Sequence, residues 1–112
     1  MHIIQQNIST LVINVLGQYR VSNVKQFYFT GETAVFEHAV LATTQSSIQM
    51  RSIAKKISYL LKFNYQLESK MQGYKRAEWI LLTTGNMHVH LFLLALRDKY
   101  DLDGLWHKAE QK

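Results

Sequence analysis

Two histidines one residue apart, His88 and His90, lie in the alternating run Met87-His88-Val89-His90-Leu91-Phe92. On a strand both project from one face, and two imidazoles at that spacing can share a metal ion. A structural site needs further ligands. His2, His38 and His107 are scattered, and Glu78 lies far down the preceding strand. The expectation is packed, hydrogen-bonded imidazoles or surface contacts, with neither metal nor cofactor.

A second arrangement with chemical potential is the strand, small-residue turn and helix entry from Leu41 to Gln49. Free helix amides and the helix dipole favour an anion there, so the Thr43 to Ser47 turn can cradle a phosphate. Enzymes that move nucleotides on such a frame also need carboxylates on an adjacent strand to hold magnesium. No Asp or Glu occurs between Thr83 and Arg97, and Asp101 with Asp103 sits in a Leu/Trp-rich closing segment. No serine, threonine or lysine has a base beside it in sequence either. A nucleotide-handling enzyme is therefore the alternative, and the expectation is a protein without catalysis.

What remains is surface. No acid occurs between Glu37 and Glu68, whereas Arg51, Lys55, Lys56 and Lys62 do, with Lys70, Lys75 and Arg76 beyond. Such a stripe suits RNA contact, as in an rRNA-docking protein or a general RNA-binding module, and is equally what an ordinary solvated helix face looks like. Trp79, beside Glu78 at a strand beginning, and the turn Thr83-Thr84-Gly85-Asn86 make a protein-docking candidate, with His88 or His90 adjoining.

The elements that must position these residues follow from periodicity. Ile4, Ile8, Leu11, Val12, Val15 and Leu16 recur at three and four, which predicts a helix over 2–17 with Gly17 as its exit. Val24 to Thr30 reads as a strand ending at Gly31, and Ala39 to Ala42 as a buried central strand. Ser46 with Gln49 forms a capping box, so a helix begins at Ser47. It turns Ile53, Ile57, Leu60 and Leu61 to the sheet and Arg51, Lys55, Ser58 and Lys62 outward. Tyr65 and Leu67 alternate with Gln66 and Glu68 as a short strand would, before a loop around Gly73. A hairpin turning at Thr84-Gly85-Asn86 follows, where glycine and asparagine tolerate positive φ. Leu93 to Lys99 and Leu102 to Trp106 read as short helical or irregular pieces, the latter able to be capped by Asp101 and closing over one edge or face of the sheet.

The 112 residues predict one α/β domain, a mixed sheet of about five strands flanked by helices. No apolar run is long enough to span a bilayer, and no secretory leader is evident. Cysteine is absent, which excludes disulfides and thiolate zinc sites and fits a reducing compartment. Thirteen Lys and Arg against eight Asp and Glu give +5, which draws a protein toward polyanions or simply keeps it in solution.

The chain resembles the ribosomal silencing factor, or Iojap, family over residues 24 to 107. Glu37-His38-Ala39 matches the family's Asp-Tyr-Phe strand entry, and Ala42-Thr43-Thr44-Gln45-Ser46-Ser47-Ile48-Gln49 its Ala-Thr-Gly-Thr-Ser-Ser-Arg-Gln helix entry. Glu78-Trp79-Ile80-Leu81-Leu82, Gly85, Val89-His90-Leu91-Phe92, Arg97 and Tyr100-Asp101-Leu102 through Leu105-Trp106 extend the match. The resemblance implies a nucleotidyltransferase-like fold without that catalysis. It implies docking on the large ribosomal subunit through ribosomal protein uL-fourteen, hindering subunit joining or assisting large-subunit assembly.

Its setting would be the bacterial cytoplasm or an organelle matrix. Residues 1 to 31 lack acids, as presequences do, but carry only Arg20 and Lys25 and read as a folded helix. This chain departs from the family motif at the hairpin turn, where Asp-Tyr-Gly-Asp is Thr83-Thr84-Gly85-Asn86. Losing two acids weakens attraction to a basic ribosomal protein, while the basic helix strengthens contact with rRNA.

Overall fold

In a computed structural model of the chain, residues 2–30 and 36–96 are described, with side chains for 7–28 and 38–96. Their order is α1 (His2–Gln18), β1 (Ser22–Thr30), β2 (Phe36–Thr44), α2 (Ser47–Tyr65), β3 (Lys70–Gln72), β4 (Trp79–Thr84) and β5 (Met87–Leu93). The five strands form one sheet in the order β1-β2-β5-β4-β3. β2 and β5 run parallel and every other pair antiparallel, so the sheet is mixed, as expected. A parallel pair needs a crossover, and α2 lies in that connection.

Strand alternation sorts the side chains onto two faces. Val40 and Ala42, Ile80 and Leu82, and Met87, Val89 and Leu91 face one way. There they meet Ile8, Val12, Val15 and Leu16 of α1 and Met50, Ile53, Ala54, Ile57 and Leu61 of α2 in one apolar cluster. Each Val, Leu, Ile or Met side chain there contributes roughly 1.5–3 kcal/mol on burial, so this layer dominates the fold's stability. On the opposite face Phe27, Ala39, Leu41 and Phe92 form a second cluster with Trp79 against it. Ala39 to Ala42 are therefore buried on both faces, as the apolar run predicts.

The α2 entry follows the capping expectation with one change. Ser46 is the N-cap and its Oγ accepts from the Gln49 N–H at 3.0 Å. The Gln49 side chain reaches one residue further back than a capping box does, accepting from the Gln45 N–H at 3.0 Å. Ser46→Ala removes an acceptor from the first turn and is expected to lower stability by ~1 kcal/mol. Urea titration of the full chain measures it, and a loss under ~0.3 kcal/mol would show the cap to be idle.

Several boundaries differ from the sequence reading. α1 continues through Gly17 to Gln18, and the Tyr19 N–H closes its last turn on the Leu16 carbonyl at 3.2 Å. β1 starts at Ser22, because Asn23 takes a left-handed φ of 51° where the pairing register slips. Tyr65 and Leu67 are not in a strand. Tyr65 ends α2, Gln66 caps it at φ 53°, and the Leu67 N–H reaches back to the Leu61 carbonyl at 3.2 Å. The strand expected there forms instead at Lys70–Gln72 on the sheet edge. The hairpin turns at Gly85-Asn86, but only Gly85 has positive φ, the requirement of a II′ turn. Leu93 closes β5, residues 94–96 make a helical turn, and the remaining closing pieces, with Asp101 and Trp106, lie outside the described residues.

Candidate functional site

The β4–β5 hairpin carries the protein-docking candidates, and its register distributes them. Trp79 stands opposite Phe92, Leu81 opposite His90 and Thr83 opposite His88, all on the face away from the helices. Trp79 and the Gly85-Asn86 turn are at opposite ends of the hairpin, about 20 Å apart along the strands. They cannot form one small contact patch.

The Trp79 end is built around a hydrogen bond. The indole Nε1–H donates to His90 Nδ1 at 3.1 Å, and the indole stacks on Phe92 at 4.8 Å between centroids. Accepting at Nδ1 puts the proton of neutral His90 on Nε2. Burial, and then the charge of His88, lower the His90 pKa to about 4. The imidazole is therefore neutral near pH 7 and holds the tryptophan in place. His90 is buried, while His88 is half-buried beside Thr83 on the same face. Among the described residues, no three His, Asp or Glu side chains gather in a metal-binding group.

At the other end Gly85 and Asn86 are exposed, and the Asn86 carbonyl accepts from the His38 N–H of β2 at 2.9 Å. Thr84 points to the helix face, buried, its hydroxyl donating to the Glu68 carbonyl at 3.3 Å. Glu78 pairs with Arg76 at 2.8 Å, and its carbonyl accepts from the Leu93 N–H at 3.0 Å. In the hairpin Gly85 and Asn86 are thus exposed, Thr83 and His88 are half-buried beside them, and Trp79 is half-buried at the far end.

The candidate phosphate turn is occupied by its own contacts. The Gln45 and Gln49 amides are both satisfied by side chains of the capping pair. Thr44 Oγ1 donates to the Phe92 carbonyl at 3.3 Å, and Ser47 Oγ to the Ala77 carbonyl at 2.8 Å. Thr43 and Thr44 are buried. Among described side chains the only carboxylates are Glu68 and Glu78, ion-paired to Lys62 and Arg76.

The basic residues of α2 divide by what they touch. Arg51 donates to the Tyr74 and Lys75 carbonyls at 3.1 and 2.7 Å, holding the β3–β4 loop against the helix. Lys62 pairs with Glu68. Lys55 and Lys56 are exposed, one 5.5 Å from the Tyr74 ring, the other donating to Gln18 Oε1 at 2.6 Å.

A family model described as "Ribosomal silencing factor during starvation" matches residues 4–112. The chain belongs to the ribosomal silencing factor family. A ribosomal silencing factor of Chromobacterium violaceum is 30% identical over 101 residues, covering 90% of this chain and 83% of the relative. One from Zymomonas mobilis is 28% identical over 96 residues, covering 86% and 72%. A crystal structure of a Chromobacterium violaceum protein superposes with a TM-score of 0.81 at 29% identity, covering 91% of this chain and 85% of that one. Another, from Bacillus halodurans, shares the fold with a TM-score of 0.74 at 22% identity, covering 90% and 94%.

The departures from the motif fall both in the interior, at Ala39, Thr44 and Thr84, and toward the surface. Thr83, in place of an acid, is half-buried beside His88, and Asn86, in place of another, is exposed. Ile48, in place of arginine, is 76% exposed on the first turn of α2. Sequence reasoning passed over Tyr59 and Phe63, whose rings lie 5.9 Å apart on the outer side of α2. An aromatic pair at i, i+4 on the lysine-bearing arc of an amphipathic helix was the available signal.

Proposed function

We propose that this chain docks on the large ribosomal subunit through ribosomal protein uL-fourteen and sterically blocks joining of the small subunit. The observation that carries this is the family match over residues 4–112. The turn-end surface of Thr83, Gly85, Asn86 and His88 is the proposed protein contact, with Trp79 a separate contact at the far end of the hairpin. Of the four basic residues proposed for rRNA contact, Lys55 and Lys56 are the principal ones, because Arg51 holds the β3–β4 loop and Lys62 pairs with Glu68. The internally bonded Thr43 to Ser47 turn and the two paired carboxylates support a protein that acts by binding, without catalysis. The relatives named above are bacterial, which supports a cytoplasmic setting over an organelle matrix.

Incubating the full chain with large subunits, sedimenting the mixture and then adding small subunits tests the reading. Comigration with loss of joined ribosomes is the expected result. Comigration without that loss would mean assistance to assembly, and absence of comigration would sink the docking reading. A basic partner surface sets the sign for turn variants: Thr83→Asp with Asn86→Asp should tighten binding severalfold, and Thr83→Lys with Asn86→Lys should weaken it. Charge reversal at Lys55 and Lys56 should weaken binding mainly at low salt. Trp79→Ala should weaken it at all salts, but it also removes the His90 and Phe92 contacts, so the turn variants are the cleaner test.

A further inference from the structure

Tyr59 is 63% and Phe63 66% exposed, although aromatic side chains ordinarily bury most of their surface. The two rings are near parallel, 11° apart, one helical turn from each other. On an α-helix the neighbours of residue 59 are 55, 56, 62 and 63, so Lys55, Lys56 and Lys62 leave the helix beside Tyr59, their ammonium groups reaching on to Tyr74, Gln18 and Glu68. α2 carries no Asp or Glu. Glu68 pairs with Lys62, whereas among the described residues Lys55 and Lys56 contact neutral groups, Tyr74, Gln18 and Tyr19.

We infer that the outer face of α2 binds unpaired RNA nucleotides, with Tyr59 and Phe63 as stacking platforms for bases and Lys55 and Lys56 as phosphate contacts. This deepens the rRNA contact of the docking reading without depending on the uL-fourteen interface. Flat exposed rings set among lysines match a polyanion whose bases present π-faces. Bases in a duplex are stacked on each other, which selects a single strand or a loop. A membrane is a poor match, because the apolar side of α2 is already buried in the core and cannot insert.

Fluorescence anisotropy of a labelled ten-nucleotide mixed-sequence RNA, single-stranded and as a duplex with its complement, tests the inference on the full chain across a salt series. The single strand should bind more tightly than the duplex. Tyr59→Ala with Phe63→Ala should weaken single-strand binding roughly 30-fold while leaving the salt slope unchanged. Lys55→Ala with Lys56→Ala should reduce the slope by about 1.4, the value for two phosphates on a single strand. All four residues lie on the helix surface, and circular dichroism confirms that the variants are folded. Equal binding of strand and duplex, or unchanged affinity in the aromatic double variant, would overturn the inference. Loss of large-subunit comigration in that variant with RNA affinity intact would make the face a protein contact and overturn it equally. Wild-type RNA binding that depends on the two rings, without large-subunit comigration, would uphold this inference while sinking the docking reading.

Discussion

Gly73→Ala is expected to destabilise the fold by at least ~3 kcal/mol, far more than the same change at Gly85. Gly73 has a φ of +84°, and a Cβ built there would lie 2.1 Å from the Trp79 carbonyl oxygen. That oxygen is backbone at the start of β4, so relief requires moving the strand that holds Trp79 against His90 and Phe92. The loop cannot retreat easily either. The Ala77 N–H is bonded to the Gly73 carbonyl at 2.9 Å, while Ser47 and Arg51 grip the Ala77, Tyr74 and Lys75 carbonyls. Gly85 also has positive φ, 54°, but a Cβ there meets nothing within 4 Å. Its replacement by alanine should cost only the left-handed conformation, ~1 kcal/mol. Urea unfolding of both variants measures the difference, and losses within ~1 kcal/mol of each other would refute the close-approach argument.

The second large effect is expected in acid. His90 has a folded pKa of about 4 against an ordinary 6.5, so between those values the unfolded chain binds a proton that the folded chain refuses. Stability is therefore complete above pH 6.5 and falls as pH drops toward 4, by at most ~3 kcal/mol from this group. Protonation also puts a hydrogen on Nδ1, where Trp79 now donates, so the indole must lose its partner. His38 works in the same direction, its pKa lowered by burial. It bonds Gln26 Oε1 at 2.9 Å and Ser9 Oγ at 3.5 Å, tying α1 to β1 and β2. His90→Asn keeps an acceptor for Trp79 but cannot titrate, and should flatten the decline between pH 6.5 and 4. Unfolding series from pH 4 to 7 followed by tryptophan fluorescence provide the comparison. An unchanged slope in His90→Asn would remove His90 from the account.

The elements legible in the sequence were those written in local patterns. Apolar residues at three and four in α1 and α2, the Ser46 and Gln49 pair, and alternation around Gly85-Asn86 each depend on neighbours within a turn or a hairpin. Where chain geometry overrode local pattern, the reading missed. Tyr65 to Glu68 alternates like a strand, yet Leu61 buried in the core carries α2 on to Tyr65, and a left-handed Gln66 reverses the chain. Gly17 looked like an exit, but Leu16 packs beneath α2 and keeps the helix going one residue further.

The candidate surfaces divide the same way. Sequence alone determined that the chain is a basic α/β domain, that its middle helix has a cationic side, and, by motif resemblance, which family it belongs to. Only the tertiary structure decided which of those residues are accessible. Successive strand residues point opposite ways in any strand, but pairing with β5 decides that Thr84 takes the helix face and Thr83 the other. His90 became an acceptor for Trp79 because cross-strand neighbours eleven residues apart meet at the start of β4. Arg51 is tied to the β3–β4 loop and Lys62 forms a surface ion pair with Glu68, while Lys55 and Lys56 share the outward side with Tyr59 and Phe63. Periodicity names a side chain's own element and face, but its exposure depends on distant segments that arrive only when the sheet assembles.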